Sequence, residues 1–220
     1  MLANELISEA IPPLKDSDSI QKALDRMDEF RVSHLPVLRD DTLLGLIADD
    51  DLIEVADYDE QLKSVDIAYN TVTLQYSQHI YDVLNVFSES HLSVLPVLDE
   101  NRVFLGVINM AAVLERMASI AAIKEPGGII VLEMDNRNNS LAHIAQVIES
   151  ESAQILSSYI TSHIDSTRRE VTLKVNRTEI SGILASLRRY DYHIIATYNE
   201  NKEHSGTGDR YDQLMNYLSI

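Results

Sequence analysis

The sequence predicts an α+β chain in two unlike parts: a duplicated β-α-β-β-α-like module with pseudo-twofold symmetry, then a single βαββαβ unit. Three observations carry this. Ile11–Leu38 overlays Thr71–Leu98 without a gap at an offset of 60 residues. Within each copy the apolar spacing switches between helical and strand periods. Pattern and charge both change at Lys124-Glu125-Pro126-Gly127-Gly128, since residues 1–124 hold 22 acids and 9 bases whereas 125–220 hold 13 and 9. The implied divisions are 1–60 for repeat 1, 61–124 for repeat 2, 125–200 for the second unit, and 201–220 for a C-terminal loop and helix.

The overlay aligns Leu14 with Leu74, Ile20 with Ile80, Leu24 with Leu84, and Ser33-x-Leu35-Pro36-Val37-Leu38 with Ser93-x-Leu95-Pro96-Val97-Leu98. One residue of slippage falls in the polar turns Arg39–Thr42 and Asp99–Arg102. After it, Gly45-Leu46-Ile47 lies on Gly106-Val107-Ile108. Ile20, Ala23, Leu24 and Met27 recur at helical spacing behind an Asp18/Ser19 cap, and Ile80, Val83, Leu84 and Phe87 do so behind Ser77/Gln78. His34–Leu38 with Leu43–Ile47, and Val94–Leu98 with Val103–Ile108, read as hairpins. Helices near Asp50–Val55 and Met110–Met117 close the copies. A unit this small cannot cover both faces of its sheet, so the two copies are expected to pack together and leave clefts at the seam.

The Leu-Pro-Val-Leu strand, the polar turn, and the Gly-apolar-apolar step into a helix that starts near an Asp resemble tandem cystathionine-β-synthase (CBS) domains, the Bateman module, over Asn4–Ser119. The resemblance implies clefts that sense adenosine nucleotides or S-adenosylmethionine. It also implies roles for two positions after the glycine: a Ser or Thr three residues on that reaches the ligand, and an Asp six residues on that accepts from the ribose hydroxyls. After Gly45 these positions are Ala48 and Asp51; after Gly106 they are Asn109 and Ala112. Asp51 is therefore the expected ribose acceptor, Asn109 stands in for a hydroxyl, and Ala48 and Ala112 remove a partner each. A hydrogen bond to a charged group is worth roughly 1.5–3 kcal/mol, so at most one cleft is expected to suit a nucleoside. Arg31 and His34 are candidate phosphate contacts or ordinary surface and strand-edge side chains. The run Asp49-Asp50-Asp51, Glu54, Asp57, Asp59, Glu60 opposes a polyphosphate unless divalent cations bridge it, or is a solvated acidic helix start. Tyr58, Tyr69, Tyr76 and Tyr81 could stack on an adenine or pack between the copies.

In the second unit, Ile129–Met134 reads as a strand and Asp135–Asn139 as a loop. Ser140 caps a helix bearing Leu141, Ile144, Ala145 and Ile148. Gln154–His163 and Glu170–Val175 read as strands around a turn at Ser166–Arg168, Glu179–Tyr190 as a helix, and His193–Tyr198 as the last strand. That order is ferredoxin-like. Placed after a CBS pair and beginning Gly-Gly-Ile-Ile-Val-Leu, the unit resembles an ACT domain. The resemblance implies pairing across a dimer axis and, in its ligand loop, Asp135, Asn138, Asn139 and Leu141 as contacts to an amino acid. The alternative is plain dimerisation or docking. Asp209–Leu218 reads as a short apolar-sided helix.

Other chemistries find little support. With no cysteine there is no disulfide and no thiolate site. The seven histidines lack paired metal-ligand spacing, and no phosphate loop, dinucleotide fingerprint or nucleophile elbow occurs. No catalytic residue, required cofactor or metal is therefore expected. A net charge of −17 disfavours nucleic acid. The opening MLANELISEAIPPLKDSD lacks a signal-peptide pattern and no apolar run reaches membrane-span length, which predicts a cytoplasmic protein without membrane contact. The arrangement resembles acetoin-utilisation-type accessory proteins. It implies a homodimeric, non-catalytic sensor, with a ligand-free scaffold for a partner enzyme as the alternative.

Overall fold

The computed structural model describes residues 1–8, 10–134, 140–162 and 169–199. The chain divides into two compact units, Met1–Met117 and Ala118–Ile220. The loop residues Asp135, Asn138 and Asn139, the turn Ser166–Arg168 and the C-terminal helix expected at Asp209–Leu218 lie outside the described residues.

The first unit contains the same succession twice. Repeat 1 runs β1 (Leu14–Lys15), α1 (Ile20–Phe30), β2 (His34–Arg39), β3 (Thr42–Ala48) and α2 (Asp49–Ile53). Repeat 2 runs β4 (Leu74–Gln75), α3 (Ile80–Ser90), β5 (Val94–Leu98), β6 (Phe104–Asn109) and α4 (Met110–Ile120). Each sheet has three strands, with a short parallel leading strand beside an antiparallel hairpin. The repeat registers match: Leu14 pairs with Val37 and Leu74 with Val97, Val37 with Gly45 and Val97 with Gly106. The slippage between copies is a difference in turns. Asp40 and Asp41 both have positive φ, the geometry of a two-residue hairpin turn that follows strand twist, whereas the longer second turn is held by the Asp99 carboxylate accepting from the amides of Asn101 and Val103.

Ser19 caps α1 as expected, its hydroxyl accepting from the Lys22 amide at 3.3 Å. The cap of α3 is His79, not Ser77 or Gln78. Its Nδ1 accepts from the Tyr81 amide at 3.3 Å while the Asp82 carboxylate accepts from the His79 amide at 3.0 Å. The Gln78 side chain is engaged with the Gln75 amide at 2.7 Å, and His79 is the partner of Ser19 at the repeat offset.

One continuous core joins the copies, from Leu14, Ile20, Leu35 and Ile47 in repeat 1 to Leu74, Ile80, Leu95 and Ile108 in repeat 2. It is closed by crossed leading segments. Residues preceding repeat 1 bond to repeat 2: the Ala3 amide to the Gln78 carbonyl, the Asn4 amide to the Tyr76 carbonyl, and the Ile80 amide to the Met1 carbonyl. Residues preceding repeat 2 make the same bonds to repeat 1: Leu62 amide to Asp18, Lys63 amide to Asp16, and Ile20 amide to the Glu60 carbonyl. The strap then crosses the facing hairpin. Asn70 exchanges both backbone bonds with Leu46, and the Ser8 amide donates to the Val107 carbonyl. Gly45 and Gly106, at φ 146° and 147°, sit under these crossings. A Cβ on Gly45 would lie 2.6 Å from the Asn70 carbonyl oxygen, and one on Gly106 would lie 2.6 Å from an Ile7 methyl. Glycine is thus required twice over, by backbone conformation and by close approach.

In the second unit β7 (Gly128–Met134), α5 (Leu141–Ser150), β8 (Ile155–Ser162), β9 (Arg169–Val175), α6 (Ser181–Arg189) and β10 (His193–Tyr198) form an antiparallel sheet of order β10-β7-β9-β8, which is ferredoxin-like. Ser140 caps α5, and Ile130, Leu132, Val171 and Leu173 form a core with Ile144, Ile148, Ile183 and Leu187 of the two helices. Leu141 is partly exposed on the first turn of α5.

The crossings predict unequal effects. Strain at a disallowed backbone costs about 1–3 kcal/mol, and both Gly45→Ala and Gly106→Ala incur it. Gly45→Ala should lose more stability in urea denaturation, because a carbonyl oxygen held by a bridge cannot yield as the tip of Ile7 can. Equal losses would contradict the strap geometry.

Candidate functional site

The first hairpin brings most of the predicted site residues of repeat 1 to one end. His34 opens β2 and pairs with Ala48, the last residue of β3, and the Asp49 amide donates to the Ser33 carbonyl at 3.0 Å. Arg31 stands just before, as the left-handed C-cap of α1 at φ 54°, its amide bonded to the carbonyls of Asp28 and Met27. Asp51 lies on the first turn of α2, exposed, and α2 is fastened by fully buried Leu52. Gly45 is three residues up the strand beneath the Asn70 crossing. Of the residues singled out in repeat 1, His34, Ala48 and Asp51 therefore share one end of the hairpin, with Asp51 presented to solvent by a helix whose neighbour Leu52 is in the core, while Gly45 lies towards the other end.

Repeat 2 departs from this. Asn109 pairs with Val94, but its side-chain oxygen accepts from the Ala112 amide at 2.8 Å and so caps α4. Ala48, its counterpart, makes no side-chain cap, and there the Asp49 carboxylate accepts from the Asp50 amide. The exchange of Ala48 for Asn109 gives α4 a side-chain cap that α2 lacks. The carbonyl of Asn109 is thereby committed to the backbone, which sequence spacing alone did not reveal.

The starts of β2 and β5 meet at the pseudo-twofold axis. The Ser33 amide donates to Ser93 Oγ at 3.0 Å, the Ser93 amide donates to His34 Nδ1 at 3.3 Å, and Ser93 Oγ lies 3.2 Å from the same nitrogen. Burial pulls the His34 pKa below its ordinary value against the raising influence of the Asp49, Asp51 and Asp50 carboxylates. His34 is thus a neutral seam residue bonded across the repeats. Ser93 had no chemical signal of its own in the sequence, although its alignment with Ser33 could have placed it on the axis.

A cavity of about 420 Å³ opens at the opposite, turn end of the hairpins, lined among others by Thr42, Gly45, Thr71, Thr73, Asn101 and Arg102. Asp51 and Ala48 do not line it. Of the four tyrosines, Tyr69 and Tyr76 pack on the first core, Tyr58 donates its hydroxyl to the Ile53 carbonyl at 3.2 Å, and Tyr81 is exposed beside His79. Among the described residues no group of three or more His, Asp and Glu could hold a metal ion, and no helix is long and apolar enough to cross a membrane.

The duplicated hairpin-and-helix unit with its crossed glycines matches a known family. The CBS-domain model matches residues 3–58 and again 63–119. The chain belongs to the CBS-domain family. Among relatives of this CBS pair, the inosine-5'-monophosphate dehydrogenase of Methanocaldococcus jannaschii is 21% identical over 150 residues, 68% of this chain and 30% of that protein. The homoserine O-acetyltransferase of Methanocorpusculum labreanum is 25% identical over 109 residues, 49% of this chain and 22% of that protein. The chain therefore spans less than a third of these relatives. Among solved structures, a CBS domain pair/ACT domain protein from Thermotoga maritima is 21% identical, covering 54% of this chain and 98% of that one with a TM-score of 0.49. A CBSX2 structure in complex with AMP is 21% identical, covering 54% and 97% with a TM-score of 0.48. The CBS domain of a bacterial CNNM/CorC family Mg²⁺ transporter, 18% identical and covering 54% and 87% with a TM-score of 0.45, is in complex with ATP.

If Leu52 is the anchor of α2, Leu52→Ala should lower stability by about 2–5 kcal/mol, the usual loss for a buried leucine, as read by urea denaturation. A loss no larger than that of the exposed neighbour Ile53→Ala would show that α2 is held in some other way.

Proposed function

We propose that this CBS pair is a non-catalytic sensor that binds one adenosine-containing ligand (AMP, ADP, ATP or S-adenosylmethionine) at the repeat 1 end of the seam and signals through a homodimer. The observation that carries this reading is the inequality of the two repeats. Asp51 offers a solvent-facing carboxylate that acts on the His34 ring, whereas the corresponding position is Ala112 and the neighbouring Asn109 oxygen caps its own helix. The complexes of CBS-domain proteins with AMP and with ATP support the ligand class. Three carboxylates at the start of α2 favour a ligand whose charge is low, cationic or balanced by a divalent ion.

The ligand would act by biasing the packing of one repeat against the other, and the shift it produces is bounded by its differential affinity for the two arrangements. Ile53 on α2 and Leu114 on α4 occupy equivalent positions and are both exposed, which supports pairing of like helix faces between two copies. In this reading repeats 1–60 and 61–124 form the cytoplasmic sensor and residues 125–200 an ACT-like unit that pairs or docks, as in acetoin-utilisation-type accessory proteins, with an enzyme as its partner. The loss of a hydroxyl at Ala48 and of a carboxylate acceptor at Ala112 favours the second reading, a ligand-free scaffold for that enzyme.

Calorimetry with AMP, ADP, ATP and S-adenosylmethionine, with and without Mg²⁺, separates the readings. At least one compound should bind at one site per chain, and Asp51→Ala should weaken it roughly 10- to 150-fold, the worth of one charged hydrogen bond. No binding by any of the four, or an unchanged affinity in the variant, favours the scaffold. Sedimentation should return a dimer that Leu114→Glu shifts towards monomer.

A further inference from the structure

The repeat places identical residues, Ser33 and Ser93, at the pseudo-twofold axis, but it follows them with unlike ones, His34 and Val94. Val94 is fully buried and His34 half-buried. The axis is therefore symmetric in its serines and asymmetric in one titratable ring, and that ring bonds to the other repeat.

The bonding pattern determines the protonation state of the ring. Ser93 Oγ accepts from the Ser33 amide at 3.0 Å, so its own hydrogen is free to point at His34 Nδ1, 3.2 Å away. The Ser93 amide donates to the same nitrogen at 3.3 Å. Nδ1 thus receives two donors from repeat 2 and must carry a lone pair, with the ring hydrogen on Nε2. A second proton on the ring would turn Nδ1 into a donor facing the Ser93 amide, and that bond could not survive. The hydroxyl could turn its second lone pair to the ring, but the Ser93 amide would still face a proton where it now has an acceptor.

The charged groups acting on the ring are the Asp49, Asp50 and Asp51 carboxylates of α2. Its β3 partner is Ala48, and repeat 2 presents the Ser93 hydroxyl and amide, neither of which ionises near neutral pH. A protonated ring therefore loses its cross-repeat acceptor role and is drawn towards carboxylates of its own repeat. We propose that His34 is a proton-operated latch between the two CBS repeats: the neutral ring clasps Ser93, and the imidazolium releases it in favour of the α2 carboxylates. The latch stands on the seam geometry alone and holds whether or not a nucleoside binds at Asp51.

The sign of the pH effect follows from the burial of the ring. Its folded-state pKa lies below the ordinary 6.5, so the unfolded chain takes up the proton first as pH falls. The contribution of the latch to stability is whole above about 6.5 and is lost as pH drops from there through the lowered folded midpoint.

The test is a proton titration of the full chain by NMR between pH 8 and 5. The His34 ring should titrate with a midpoint below 6.5, and the Ser93 amide resonance should move with that same midpoint. In His34→Asn, whose side-chain oxygen offers an acceptor near the Nδ1 position without titrating, the Ser93 amide should stay fixed and the melting temperature should fall less on going from pH 7.5 to 5.5 than it does in the parent chain. A Ser93 amide that ignores the His34 titration overturns the latch, as does a variant that keeps the parent's full pH dependence. Should His34→Asn not fold, the titration of the parent chain still decides, and His34→Val, the residue of repeat 2, supplies the comparison.

Discussion

The crossed straps are the constraint on which the first unit depends. Each repeat is completed by the segment that leads into the other: Met1–Asn4 bonds along Tyr76–Ile80, and Glu60–Lys63 bonds along Asp16–Ile20. Neither three-stranded sheet can bury its faces alone, so the exchange does more than add hydrogen bonds. It converts two marginal modules into one core running from Ala3 to Val113. The glycines at 45 and 106 follow from this, because the strap backbone or side chain occupies the space where their side chains would stand.

With the twofold frame held in this way, small differences between the copies become differences in the chemistry each presents at equivalent points. Leu52 and Val113 anchor the two closing helices in the same core, so the residues just before them are presented at equivalent points of the surface. At one point stands Asp51 and at the other Ala112. The helix starts differ as well, capped by the Asn109 side chain in one copy and without a side-chain cap at Ala48 in the other. A symmetric scaffold can thus carry unlike surface residues without any change of fold, since each substitution is tolerated where the core does not depend on it.

Much of this was legible in the residues. The offset of 60 located both hairpins, both long helices and the Ser19 cap, because the alternation of helical and strand spacing survives in each copy. The ferredoxin-like order of the second unit was legible too, from the apolar run Ile129–Met134, the alternation at Glu170–Val175 and the helical spacing behind Ser140. Other features were misread or unseen. Ser77 and Gln78 looked like caps because their residue types allow it, yet Gln78 is held by Gln75, and His79 takes the place of Ser19. Asn109 was read only as a stand-in for a hydroxyl, and the spacing did not show that its side-chain oxygen also caps α4.

By itself the sequence determined the duplication, the elements of each copy, and which copy retains an acidic residue six places after its glycine, since all of these are local or periodic properties of the chain. Only the tertiary structure decided that the leading segments cross over, that Ser33, His34 and Ser93 share one hydrogen-bonded junction, and that Gly45 lies under Asn70. Those facts join residues about 25 to 80 positions apart. The energy of such contacts depends on distances and donor directions that no spacing rule encodes, and they exist only once the shared core has brought the two copies together.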